Sequence, residues 1–168
     1  RVLSMLGALP DAFANFYVLS ELPRLHAAQQ RGADTERLFQ AALDARRQRL
    51  PGQIDQTLAT LLRVVGVAQM QQGKFAVAEA TLRETLELDR QSSPDSPRYH
   101  GTMGLLGAAV AAQRRFADAE PLLVESLQKL GASTARASVK REACERLLKL
   151  YDDWGKPIDG QFRMWVKT

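Results

Sequence analysis

The stretches QQGKFAVAEATLRETLEL, residues 71–88, and AQRRFADAEPLLVESLQKL, residues 112–130, are two versions of one pattern. Pairs of identical residues are separated by one constant interval, among them Phe75 and Phe116, Ala78 and Ala119, Glu79 and Glu120, Leu82 and Leu123, and Leu86 and Leu127. A constant spacing over so many positions indicates an internal repeat, which must be identified before any short motif is interpreted.

The same spacing extends to both sides of these two stretches. Gly32 precedes Gly73 by this interval, and Gly155 follows Gly73 at twice the interval. RGADTERLFQAAL, from Arg31, is therefore an earlier copy, and YDDWGKPIDGQFRMW, from Tyr151, is a later one. We predict a single array over 1–168 with approximate repeats at 11–50 (degenerate), 55–92, 97–131 and 136–168 (a terminal, capping copy).

Each copy has the apolar pattern of two helices. In residues 56–72 and 75–90, apolar side chains recur every three or four positions, which is typical of amphipathic helices. Gly73 and Lys74 form a short turn between the two stretches, and the Ser/Pro-rich segment 90–98 ends the second. No segment alternates as a strand does, so we predict an all-α fold. One helix pair cannot bury its apolar stripe alone, which favours stacking of antiparallel pairs into an α-solenoid.

Small residues at fixed positions resemble the tetratricopeptide repeat. In that family a Leu-Gly or Leu-Ala pair lies mid-way along the first helix. A turn glycine follows, and then an alanine with a large apolar residue four positions later. The matching residues are Val65, Gly66, Gly73, Ala78 and Leu82 in one copy, Leu106, Gly107, Ala119 and Leu123 in the next, and Leu147, Tyr151, Gly155, Gly160 and Met164 in the last. Arg114 replaces the turn glycine of the middle copy. The resemblance covers about residues 24–168 and implies a right-handed superhelix.

The period is longer than the tetratricopeptide minimum of about 34 residues. The additional residues fall in the outer loops, and this longer form resembles kinesin-light-chain-type repeats. RRFADAEPLLVESL, from Arg114, together with ERLLKLYDDWGKP, from Glu145, resembles the carboxyl-terminal repeat regions of bacterial serine/threonine protein kinases. The chain has no Gly-rich nucleotide loop and no His-Arg-Asp or Asp-Phe-Gly motif, so a kinase domain would lie outside it.

Composition argues against several classes of function. The 168 residues carry a net charge of +4, one cysteine and two histidines. An internal disulfide is therefore excluded, and little material is left for a metal or histidine-based catalytic centre. We predict no catalytic residue, no cofactor and no metal. The longest apolar run, 104–112, is about half of a bilayer span, so we expect no transmembrane helix and a cytoplasmic location. Residue 1 is Arg rather than Met, and we expect a piece of a longer protein, which could be membrane-anchored elsewhere.

The reactive and aromatic side chains are interpreted as structural. Cys144 is expected to be a small buried hydrophobe. His26 and His100 are expected to be satisfied or exposed imidazoles, because neither has metal-ligand company at helical spacing. We expect Trp154 and Trp165 to cap the last helix pair. We expect the basic cluster of Arg46, Arg47 and Arg49 to cover an outer surface near a loop.

The resemblance implies that the first helices line a concave groove that binds an extended peptide or a helix. Carried over by position, the groove residues are Arg63, Val67, Met70, Gln71, Gly104, Ala108, Ala111, Glu145, Lys149 and Asp152. The third copy contributes a floor almost without side chains, which would admit another backbone. Glu142, Glu145, Asp152 and Asp153 form either a solvated helical face or an acidic end of the groove. The predicted function is a non-catalytic scaffold for a protein or peptide partner.

One departure from the family leaves alternatives open. Kinesin-light-chain-type repeats commonly carry paired asparagines in the first helix, where this chain has Arg63 with Val64 and Gly104 with Leu105. A spacer or a self-association surface within the parent protein is therefore the alternative to peptide binding. A nucleic-acid-binding solenoid is favoured less, since no aromatic residues interleave the basic ones.

Overall fold

The structure is a computed structural model that describes residues 31–49 and 56–157. These residues form six helices and no strand: α1 (Gly32–Arg49), α2 (Gln56–Gln71), α3 (Phe75–Ser92), α4 (Pro97–Ala111), α5 (Phe116–Ala132) and α6 (Ala137–Trp154). The all-α prediction is confirmed for this part of the chain. Most of the predicted copy at 11–50 and the end of the copy at 136–168 lie outside the described residues. The chain divides into two compact units, Arg1–Ser92 (unit 1) and Ser93–Thr168 (unit 2).

In unit 1, α2 packs against both α1 and α3. Phe39 and Leu43 of α1 are almost fully buried, in one cluster with Leu61 and Val65 of α2. The central position of α2 explains its composition. Because it has a neighbour on two sides, its apolar residues extend around more of the helix than a single stripe would.

In unit 2, α4 packs against α5, and α6 packs against both of them. Leu123 and Leu130 of α5 are fully buried, together with Val110 of α4 and Leu150 of α6. The three helices therefore share a core of aliphatic side chains that comes from all of them. Burying one such side chain stabilises a fold by about 1.5–3 kcal/mol.

The same close approach of two helices occurs in each unit. A Cβ atom added to Gly66 of α2 would lie 2.9 Å from Cγ of Leu82 in α3. A Cβ atom added to Gly107 of α4 would lie 2.8 Å from Cγ of Leu123 in α5. Both members of the second pair follow those of the first at the interval of the sequence repeat, which is therefore also a repeat of contacts. A glycine is required at both positions because each leucine occupies the space of a side chain.

Among the described residues, the backbone is left-handed at three equivalent positions. Gly73 follows α2 with φ 73°, Arg114 follows α4 with φ 64°, and Gly155 follows α6 with φ 70°. A residue in this conformation ends a helix by turning its last carbonyls toward the following N–H groups. After α2, for example, the Lys74 N–H donates to the Gln69 carbonyl at 3.0 Å. Arg114 therefore takes the conformation that glycine takes in the other two copies.

The helix ends around the Ser/Pro-rich segment differ slightly from the predicted ones. α3 continues to Ser92 rather than ending near Arg90. It stops there because Pro94 disfavours helical backbone in the residue before it. α4 then begins at Pro97, with Ser96 as its N-cap accepting a hydrogen bond from the Tyr99 N–H at 3.2 Å.

Gly32 also differs from the prediction. Its spacing from Gly73 indicates a turn, but the structure makes it the first residue of α1. It is buried against α2, where an added Cβ atom would lie 3.2 Å from the Ala68 carbonyl oxygen. Gly32 thus serves close packing rather than a left-handed backbone.

Gly107→Ala is expected to destabilise the protein by about 1 kcal/mol or more. The added methyl would overlap Leu123, and overpacking a core costs about 1–3 kcal/mol. The matched control is Gly101→Ala in the same helix, where nothing lies within 4 Å of an added Cβ atom. That change should stabilise by about 0.5–1 kcal/mol through helix propensity. Urea unfolding followed by circular dichroism measures both, and equal shifts of the two variants would contradict the packing argument.

Arg114→Gly is expected to give a more stable protein than Arg114→Ala, by about 1 kcal/mol. Both changes remove the arginine side chain, but glycine alone relieves the left-handed backbone, which costs other L-residues about 1–2 kcal/mol. Thermal unfolding of the two variants measures the difference. Equal stability would show that the backbone at this turn is not strained.

Candidate partner-binding face

In unit 1, the predicted groove residues lie along one side of α2. Arg63, Val67 and Met70 are half-buried, and Gln71 at the end of the helix is exposed. Their spacing of three or four residues places them on one face, while Leu61, Leu62 and Val65 are buried in the core. This face is therefore partly open to solvent in a helix that is otherwise enclosed.

In unit 2, α4 carries three of the predicted groove residues, and they do not share one environment. Ala108 is half-buried, but Gly104 and Ala111 are buried. A Cβ atom added to Gly104 would lie 2.6 Å from Oγ of Ser126 in α5, whose hydroxyl donates to the His100 carbonyl at 2.7 Å. The space at Gly104 is used inside the unit, so the predicted floor for a partner's backbone does not fit Gly104 or Ala111.

The predicted residues of α6 are all on its surface. Glu145, Lys149 and Asp152 are exposed. Lys149 pairs with Asp153 at 3.0 Å, and Arg146 pairs with Glu142 at 2.9 Å, both within the helix. Two of the four carboxylates of this acidic group are thus matched by neighbouring cations, so the face is less acidic than its carboxylates alone suggest.

The ten predicted residues fall into two groups. Four lie in unit 1 and six in unit 2, since the boundary between the units follows Ser92. Within unit 2 the packing of α4 against α6 brings two of the contributing helices together. Arg146 shows this approach directly, because its Nη1 atom would lie 3.9 Å from a Cβ atom at Gly104.

A half-buried carboxylate at the end of a helix pair in each unit was not predicted from sequence. Glu120 of α5 accepts hydrogen bonds from the Tyr151 hydroxyl at 2.7 Å and from Lys156 Nζ at 2.7 Å. Burial raises the pKa of Glu120, but these bonds outweigh it and hold the pKa below its usual value of 4.5. The carboxylate therefore stays charged and connects α5 to the end of α6.

The equivalent contact in unit 1 involves Glu36 of α1. It accepts from Lys74 Nζ at 2.7 Å and from Gln72 Nε2 at 2.8 Å, both just beyond the end of α2. Burial raises the pKa of Glu36 as well, and these bonds again outweigh it and lower the pKa. Lys74 and Lys156 are separated by twice the repeat interval, which is the signal that could have identified this contact.

Aromatic rings gather at the end of α6. Trp154 stacks on Phe116 with ring centroids 5.8 Å apart, and Lys156 Nζ lies 4.6 Å from the Trp154 centroid. Trp154 therefore covers the start of α5, while Trp165, with which it is predicted to form a cap, lies outside the described residues. The lysine charge on the aromatic face adds to this packing.

The structure places four of the other side chains considered from the sequence on α6 and α1. Cys144 is half-buried rather than buried, and burial raises the pKa of its thiol. Arg46, Arg47 and Arg49 are in the last turn of α1, where Arg47 donates to Glu84 of α3 at 2.6 Å. His26 lies outside the described residues.

His100 is buried near the start of α4, so the expectation of a satisfied or exposed imidazole is not met. Its side chain is 3% exposed, and Nδ1 has no hydrogen-bond partner among the described residues. Burial lowers the pKa of His100 from its usual 6.5, and Lys129 lowers it further, against the opposing effects of Glu125 and Asp95. Burial in the folded chain thus favours the neutral imidazole.

Neither the metal-ligating side chains of the described residues nor comparison with known proteins indicates a further site. Residues 31–49 and 56–157 include no group of three or more His, Cys, Asp or Glu side chains able to hold a metal ion. Among the described helices, none is long and apolar enough to cross a bilayer. No family model matches the sequence, and no curated protein matches it.

Acidification is expected to destabilise the protein through His100. The unfolded chain takes up a proton near pH 6.5 and the folded chain only at lower pH, so the free energy of unfolding should fall as the pH drops from 7 through 6. His100→Gln should lose less stability over this range. Urea unfolding at pH 7 and pH 5.5 measures the difference.

The carboxylates Glu36 and Glu120 do not confuse this measurement. Their pKa values lie below 4.5, so the stability that they contribute is lost at lower pH. An identical pH dependence of wild type and His100→Gln would contradict the role of His100.

Proposed function

We propose that this chain is a non-catalytic protein-interaction scaffold of tetratricopeptide-like helix pairs. The observation that carries the proposal is the repeated contact of Gly66 with Leu82 and of Gly107 with Leu123. Tetratricopeptide repeats have a small residue in the first helix and a large apolar residue in the second. The two glycines match the small residue, and the two leucines match the large apolar one. The left-handed residues that follow α2, α4 and α6 support the same repeat.

The proposed array is a right-handed superhelix whose first helices bind a partner segment. A solenoid of helix pairs offers an extended surface on one side and no enclosed pocket, which suits binding by contact rather than chemistry. The kinesin-light-chain-like length of the repeat supports this form. A regulatory segment of a bacterial serine/threonine kinase is the specific version that the last two copies favour.

In each unit, the face that we assign to a partner is narrower than the sequence predicts. In unit 1 it comprises Arg63, Val67 and Met70, which are half-buried along α2. In unit 2 it comprises Leu105 and Ala108, which are half-buried along α4 and three residues apart. Half-buried apolar side chains suit a partner with a few apolar anchors, because such anchors dominate binding at protein interfaces.

Ala108→Arg is expected to weaken partner binding at least about tenfold without unfolding the protein. Ala108 is only half-buried on α4, so a long charged side chain can extend to solvent while it covers the proposed face. The probe is a displayed library of 16-residue peptides, selected on the wild-type chain. The selected peptides should bind Ala108→Arg at least about tenfold more weakly, since one blocked anchor is worth about 1.4 kcal/mol or more.

Gln128→Arg is the matched control, because Gln128 is exposed on α5, a second helix of the repeat. It should leave peptide affinity unchanged, and both variants should keep the helical circular dichroism of wild type. Failure to select any peptide, or equal binding to both variants, would contradict the proposal. Sedimentation equilibrium of the same proteins would then show whether the Ala108 face instead mediates self-association.

A further inference from the structure

An open cavity of about 280 Å³ lies in unit 2 where the turn after α4 meets the end of α6. It is lined by Arg114, Arg115, Phe116, Ala117, Asp118 and Trp154. The cavity is at the end of the helices and does not include Leu105 or Ala108. It is smaller than most small-molecule sites, which measure about 300–1,000 Å³, so its size suits one side chain or chain end.

Two stacked rings give the cavity an apolar wall. Phe116 is 9% exposed, and its ring lies at 25° to that of Trp154. Trp154 is half-buried. Phe116 stacks on the indole and Lys156 Nζ lies 4.6 Å from its centroid, so a ring or aliphatic group of a ligand would pack on the part of Trp154 that these contacts leave exposed.

Arg114 supplies a charge that no described residue of unit 2 neutralises in an ion pair. Its guanidinium carbon lies 5.0 Å from the Phe116 ring centroid, and it forms no ion pair with a described residue. The neighbouring cations differ in this respect. Arg115 is held by Asp118 at 3.0 Å, and Lys156 is held by Glu120 at 2.7 Å. Among the described residues that line the cavity, Arg114 is thus the cation that remains available to an anion.

The position of Arg114 adds a second argument. It has the left-handed backbone for which the equivalent positions use Gly73 and Gly155, so an arginine there lowers stability compared with glycine. Since the guanidinium forms no ion pair with the described residues, its charge is available to an anionic ligand. Strain kept at a turn of this kind is typical of functional sites.

We propose that this cavity binds a carboxylate that lies next to an apolar side chain on an acidic peptide. The carboxylate would pair with the Arg114 guanidinium, and the apolar side chain would pack on Trp154. Arginine matches the planar carboxylate with two parallel N–H donors. The carboxylate can come from a chain end or from an aspartate or glutamate side chain.

This site is separate from the face assigned to the partner above. It uses none of the residues of that face, and it does not require the superhelix. Small probes that reach this cavity therefore test it independently of the peptide selection on Ala108. Failure of the small probes to bind would leave the proposed scaffold function unaffected. Failure of the peptide selection would likewise leave this cavity site unaffected.

The test is a titration of the full chain, labelled with ¹⁵N, followed by amide chemical shifts. N-acetyl-phenylalanine presents a terminal carboxylate beside a ring, and N-acetyl-aspartyl-phenylalanine amide presents a side-chain carboxylate beside a ring. At least one should shift the amides of residues 114–118 and Trp154. The tighter of the two identifies the source of the carboxylate, and N-acetyl-phenylalanine amide, which has no carboxylate, should bind about tenfold more weakly.

Arg114→Gln should weaken carboxylate binding about tenfold, and Arg114→Lys should retain part of it. Gln keeps a side chain at the left-handed position, so the backbone is not relaxed. Arg141→Ala, which removes an exposed arginine from α6 of the same unit, should have no effect. Binding that is unchanged in Arg114→Gln, or equal for acid and amide probes, would overturn the proposal. Inorganic phosphate binding as tightly as the acids would overturn it as well, because the rings would then contribute nothing.

Discussion

The contact between a glycine of one helix and a leucine of the next sets the geometry of this protein. At Gly66 and at Gly107 the leucine occupies the volume of a missing side chain, so the helix backbones approach more closely than ordinary residues allow. The buried side chains of each unit are arranged around this approach. Leu82 and Leu123 are themselves almost fully buried, which makes the contact part of the core rather than an addition to it.

Polar contacts complement this packing at the ends of the helices. Glu36 of α1 accepts hydrogen bonds from Lys74 and Gln72, which follow α2. Glu120 of α5 accepts hydrogen bonds from Lys156, which follows α6, and from the Tyr151 hydroxyl. A half-buried carboxylate without such partners would destabilise the fold, so these contacts select one register of the helices over its neighbours. The glycine–leucine contact fixes the distance between packed helices. The carboxylate contact fixes the position of one helix along the axis of its neighbour.

Much of this could be predicted from sequence because the constraint is local and repeated. Glycines, leucines and their constant spacing predict the helices, their turns and the all-α class. Residues that contact a partner are harder to predict, since a small residue can leave room for a partner or for a neighbouring helix. Gly104 illustrates this ambiguity, because the space that it leaves is taken by Ser126 of the neighbouring helix in the folded structure. The sequence shows that Arg114 replaces the turn glycine of the other copies. Its proximity to Trp154 could not be predicted, because the two residues belong to distant segments of the chain.

The glycine–leucine contact has an evolutionary consequence. It restricts two positions in each helix pair and leaves most others free to change, provided that the apolar spacing is kept. Copies of such a unit can therefore drift far apart in sequence, and loops between them can lengthen, while the three-dimensional arrangement of the pair persists. Within this chain the copies that contain Gly66 and Gly107 already differ at most positions, yet both set a glycine against a leucine in the same way. Lineages descended from such an array would be recognised by this pair of positions sooner than by percentage identity.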